Sequence, residues 1–192
     1  MNTVNTFEHK GVSVKIIIDE DAQSPQEDAD NGLFLVANHR EFYVPEPGQK
    51  RIGDDWETLH ARYKKTHWVF PIEAYIHSGV CLAFSHVGNF PDRQWDVSQV
   101  GAIFAAKSEW RLSAKARKAA EGLLETWNQY LGGEVYGFVC DDDGLHEDSC
   151  WGFYGLEYCE EQARESAERI AKKREQETTE AHRCACADIA TV

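Results

Sequence analysis

Residues 68–86 read WVFPIEAYIHSGVCLAFSH, two runs rich in aromatic and branched side chains separated by Ser78-Gly79. The pattern predicts a hairpin, 68–77 paired with 80–86, because a tight primed turn needs the positive φ that glycine supplies. A lone hairpin is not stable in water and must bury one face against further strands or a helix. The flanking sequence offers both. Val12, Val14, Ile16 and Ile18 alternate with Ser13, Lys15 and Ile17, the period of a half-buried strand, and 33–37 and 100–106 read as two more. Residues 134–140 and 147–153 form a second strand pair around a turn at Asp143-Gly144.

Helices are marked by a different spacing. Trp56, Leu59 and Tyr63 share one side of a short helix over 55–65. Over 113–131, Ala116, Ala119, Ala120, Leu123, Leu124, Trp127, Tyr130 and Leu131 recur every three or four residues, and Gly132-Gly133 ends the run. A second long helix, 156–177, places Leu156, Cys159, Ala163, Ala167, Ile170 and Ala171 on one face. Its early Glu157, Glu160 and Glu161 and late Lys172, Lys173 and Arg174 suit the helix dipole, and Glu160/Arg164, Glu165/Arg169 and Glu168/Lys172 are favourable i,i+4 pairs. Segments 19–31, 40–54 and 88–96 read as loops, and neither a repeat nor a Gly/Ser linker divides the chain. The expectation is an α+β fold with a single domain over 1–177. In it, an antiparallel or mixed β-sheet containing the 68–86 hairpin and the 134–140 strand carries two long helices, that of 113–131 packing through Leu123, Leu124 and Trp127. A flexible tail follows over 178–192.

The 192 residues can bury a full core, with 42% apolar residues and six tryptophans. The N-terminus lacks the basic stretch and apolar run of a secretory signal, so the six cysteines are expected to be reduced and the protein cytoplasmic. No apolar run approaches the roughly 20 residues a membrane helix needs.

Charge is the most distinctive property. The chain carries 33 acidic and 20 basic residues, a formal charge of −13. Eleven acids fall in two segments without Lys or Arg: Asp19, Glu20, Asp21, Glu27, Asp28 and Asp30, then Asp141, Asp142, Asp143, Glu147 and Asp148. Setting them aside leaves −2. Both segments follow strands and could share one rim of a sheet, where they would form an acidic surface for a basic partner rather than for nucleic acid or an anionic membrane. Solvated turns are the plainer reading of the same residues.

An EF-hand loop aligned on Gly144 would start at Val139 and lacks its terminal glutamate, which removes calcium. Cys140, His146, Cys150 and Cys159 are zinc-ligand types without a C-x₂₋₄-C knuckle, and Cys184-Ala185-Cys186 is too tight for one, so core thiols and no metal or cofactor are expected. A two-residue turn puts His77 opposite Val80 and His86 opposite Pro71, about 20 Å apart and unable to share a proton. No phosphate-binding glycine motif or nucleophile elbow occurs. An enzyme or metal-dependent module centred on Cys140, His146 and Cys150 remains the alternative to a binding protein.

The segments WNQYLGGEVYGFV (127–139) and DSCWGFYG (148–155) resemble a family of small acidic proteins encoded by phages, plasmids and other mobile elements. The 75–79 turn and 99–103 are similar to it as well, and the likeness covers residues 12–18 and 67–163. The resemblance carries no catalytic residue. It implies an accessory gene product, either a structural or housekeeping factor of the mobile element or an inhibitor of a host defence nuclease, of the anti-CRISPR or anti-restriction kind, that mimics DNA in its charge.

Overall fold

The computed structural model describes residues 2–26, 31–40, 42–49, 56–87, 90–91 and 93–189, apart from the side chains of 181 and 184–189. In chain order the elements are β1 (Thr3–His9), β2 (Val12–Ile18), β3 (Leu33–His39), β4 (Phe42–Val44), α1 (Trp56–Tyr63), β5 (His67–Ile76) and β6 (Val80–Phe84). Then come α2 (Arg93–Asp96), β7 (Val97–Ala106), α3 (Ser113–Leu131), β8 (Val135–Asp142), β9 (Leu145–Tyr154) and α4 (Leu156–Ile189). They form two units, Met1–Ala22 with Glu134–Val192, and Gln23–Gly133, so the second is inserted in the chain between β2 and β8.

In the first unit Lys10 and Gly11 (φ 52° and 81°) join β1 to β2, and Asp143 and Gly144 (φ 49° and 78°) join β8 to β9. Two consecutive left-handed residues make the primed turn whose twist matches paired strands. The strands lie in the order β1-β2-β8-β9, all antiparallel. Val12, Val14 and Ile16 of β2 and Phe138 and Cys140 of β8 face α4, which meets them through Cys159, Ala163, Ala167 and Ala171. Small residues on that helix face let it settle close to the sheet.

The second unit has the strand order β4-β3-β7-β5-β6, again antiparallel. One face buries Leu35, Ile72, Leu82 and Ile103 under Ala116, Ala120, Leu124 and Trp127 of α3. The other buries Phe34, Val36, Ala102 and Phe104 against Leu59 of α1, flanked by Trp56 and Tyr63. Asn128 of α3 covers the outer edge of the sheet, its Oδ1 accepting from the Leu82 N–H at 2.7 Å and its Nδ2 donating to the Leu82 carbonyl at 2.9 Å. The edge strand is thereby capped at its central residue.

The expected α+β fold with two long helices on one sheet is corrected. Among the described residues the molecule is mostly β, nine strands in two separate antiparallel sheets, with four helices of which only the 34-residue α4 is longer than 19 residues. The 134–140 strand and the 68–86 hairpin belong to different sheets, each with its own helix. Helix α4 also runs on to Ile189 past the end expected near 177, for no glycine or proline interrupts it. The hairpin register slips by one: Ile76 pairs with Val80, and His77, Ser78 and Gly79 form the loop with Ser78 at φ 57°. Strand β1 was not foreseen because its residues alternate only between exposed and half-buried positions. No helix among the described residues is long and apolar enough to cross a membrane.

Candidate functional site

Antiparallel pairing decides where the acidic segments go. Asp19 follows β2 and its N–H donates to the Val135 carbonyl at 2.9 Å, at the start of β8. Asp141, Asp142 and Asp143 stand at the other end, where Ser13 pairs with Asp141. Neighbouring strands that run in opposite directions end on opposite rims, and seven residues of β8 separate the two groups by roughly 20 Å. The shared rim is therefore corrected to two rims. Glu27, Asp28 and Asp30 lie outside the described residues.

The acids also differ in how they are engaged. Asp19 turns inward, accepting from the N–H of Asp21 at 3.2 Å and of Gly152 at 3.1 Å. Asp141 takes Lys15 at 3.1 Å and lies 3.8 Å from His146. Asp142 receives Arg174 Nη1 at 2.5 Å while Nη2 of the same guanidinium donates to the Lys10 carbonyl at 2.9 Å, so one side chain fastens α4 to both turns. Asp148 accepts from the Ser166 hydroxyl and pairs with Arg169 at 3.6 Å. Arg169 was expected to pair with Glu165 along the helix, but β9 brings Asp148 within its reach. Glu168 is held down to about 2, first by hydrogen bonds from Lys10 and Lys172. Exposed acids without an ion pair among the described residues include Asp143, Glu147, Glu161 and Glu165.

The thiols separate by burial. Cys140 and Cys159 are fully buried between sheet and helix, and burial pushes both thiols up, Cys159 to about 12. A thiol raised in this way is a poor nucleophile and a poor ligand. Cys150 is exposed on β9, where its pairing with Phe138 sets it away from His146 opposite Asp141. Among the described residues no group of three His, Cys, Asp or Glu is placed to hold a metal.

The second unit contains a polar constellation that sequence reading passed over. Glu73 of β5 is 5% exposed, with Oε2 accepting from Arg93 at 2.7 Å and from the His86 N–H at 3.3 Å. Burial would raise its pKa, but those two hydrogen bonds and the Arg93 charge outweigh it and the carboxyl ends below its usual range. Its Oε1 and the Ser85 hydroxyl are buried without a hydrogen-bond partner. A carboxylate inside the apolar run FPIEAYI was the available signal. No protein-family model, curated protein or solved structure matches the chain.

Proposed function

We propose that the chain is a non-enzymatic, cytoplasmic binding protein that uses an acidic surface of its first unit to occupy a basic surface of a partner, in the manner of an inhibitor of a nucleic-acid-binding host defence protein. The segregation of charge carries this reading. The first unit has 19 acidic and 8 basic residues, whereas the second has 14 and 12, so nearly all the net charge of −13 resides on one sheet and its helix. A charge serving solubility alone has no reason to be so divided, while a one-sided field steers a complementary partner into contact. Of the eleven acids first picked out, Glu20, Asp21, Asp143 and Glu147 are exposed and without an ion pair among the described residues, and Glu161 and Glu165 of α4 add to the charge of the same unit.

The test follows from the pairing. Neutralising Asp142 would strand Arg174, so the informative variant combines Asp143→Asn, Glu147→Gln, Glu161→Gln and Glu165→Gln. A partner recovered from host lysate should bind the native chain with an on-rate that falls steeply as salt rises, since exposed charges are screened within about 8–10 Å. The quadruple variant should associate about tenfold or more slowly with little change in melting temperature. An unchanged on-rate and salt dependence would refute the reading.

A further inference from the structure

Sheet β4-β3-β7-β5-β6 is covered incompletely on its α1 side. A cavity of about 310 Å³ opens there between Trp56 and Leu59 of α1 and Val36, Gly101 and Phe104 of the sheet, with Asn38 and Gln99 at its border. A second recess of about 440 Å³ is lined by His60, Ser85, His86 and Arg117. Trp56 and Gln99 line both, so the two are one groove. The register sets its Asn38, Gln99 and Ser85 along a row across the sheet. Ala37 pairs with Gly101; Asn38 is next along on β3 and Gln99, beyond the bulged Val100, on β7; Gln99 pairs with Glu73 on β5, and Glu73 with Ala83 on β6, two residues before Ser85. At about 4.8 Å per strand the row spans roughly 14 Å.

Three features mark the row as built for something other than packing. Register shifts between Ile72 and Glu73, leaving a bulge on β7 at Val100 beside the row, and such bulges cluster at binding sites. Gly101 is obligatory, for a Cβ there would stand 1.9 Å from the Val36 carbonyl oxygen. Two of the four unpartnered buried side-chain atoms among the described residues, Glu73 Oε1 and Ser85 Oγ, belong to this face, and Ser85 lines the recess; such an atom costs stability until something completes it.

We propose that the groove binds a nucleoside monophosphate or a compound of the same chemistry, a planar heteroaromatic ring joined through a hydroxylated linker to a phosphate. The apolar end, walled by Trp56, Leu59 and Phe104, takes the ring, and the Asn38 and Gln99 amides pair with its donor and acceptor edge. The linker lies between the two ends, across Gln99, which lines both. The phosphate goes to the far end, where the Ser85 hydroxyl donates and Arg117, stacked 3.6 Å over Phe84 and paired with Glu121 at 3.2 Å, brings a fixed guanidinium. The volume lies within the 300–1,000 Å³ usual for small-ligand sites.

Isothermal titration of the full chain with AMP, GMP, CMP and UMP, and with adenosine and ribose 5-phosphate as half-ligands, tests this. At least one nucleotide should bind with 1:1 stoichiometry, and each half-ligand at least tenfold more weakly than AMP or not at all. Gln99 is exposed, so Gln99→Leu should fold normally, and Ser85→Ala removes an unpaired hydroxyl and should leave the melting temperature equal or higher. Each should weaken nucleotide binding by about tenfold, the worth of one good hydrogen bond. Failure of all four nucleotides to bind, or equal binding by ribose 5-phosphate alone, or by both folded variants, would overturn the proposal.

Discussion

Trp151 and Gly137 provide the sharpest test of how the first sheet is held. Gly137 pairs with Ile17, and alternation puts it on the face away from α4, where the indole of Trp151 lies directly over it. A Cβ added to Gly137 would sit 2.2 Å from Trp151 Cε3 and 2.4 Å from Cδ2. Carbon contacts are comfortable near 3.5 Å, so the ring would have to move by about 1.3 Å. It is 40% exposed and can do so, at the expense of the contact. Gly137→Ala should therefore destabilise by about 1–3 kcal/mol when Trp151 is present. With Trp151→Ala in place the clash is gone, and alanine should be better than glycine in a strand by about 0.5–1 kcal/mol. The sign reversal gives a coupling energy of about 1.5–4 kcal/mol, in the upper part of the range for residues in contact or above it. Urea unfolding followed by far-UV circular dichroism is the appropriate readout, because removing one of six tryptophans changes the fluorescence signal itself. Hydrogen exchange of the β8 amides localises the loss to this sheet. If Gly137→Ala costs the same in both backgrounds, the ring does not rest on the glycine and the reasoning fails.

Leu124, 8% exposed in the core under α3, should cost about 2–5 kcal/mol when replaced by alanine, as measured by chemical denaturation; a loss below 1 kcal/mol would mean the helix does not pack there. Glu73, with its pKa lowered in the fold, contributes stability that is present above the ordinary glutamate pKa and is lost as pH falls through its lowered folded value. Unfolding measured across acid pH should show that loss in the native chain and a flatter profile in Glu73→Gln, whereas parallel profiles would refute the assignment.

The sequence was most legible where one face of an element is buried and the other wet. Val12 to Ile18 and the stripe of α3 were readable because alternation and 3.6-residue spacing each report a single apolar face. Periodicity does not say which sheet a strand joins, and so 134–140 was placed with the 68–86 hairpin although unit boundaries at Ala22 and Glu134 divide them. The acidic rim failed for a related reason: the end of a strand is a sequence feature, but the rim it reaches depends on the direction of its neighbour. In the second unit helices cover both faces, and five consecutive residues of β3, Leu33 to Ala37, are buried, so alternation carries no information. In such a strand a lone acid cannot be assigned to solvent by its parity. Glu73 sits between Ile72 and Ala74, both fully buried, and is itself buried. A charge kept in that position needs a partner, and Arg93 occupies only one of its two oxygens. The remaining oxygen is buried without a hydrogen-bond partner, and the register sets its residue opposite Gln99, so the residue least expected in a strand core stands next to the groove without lining it.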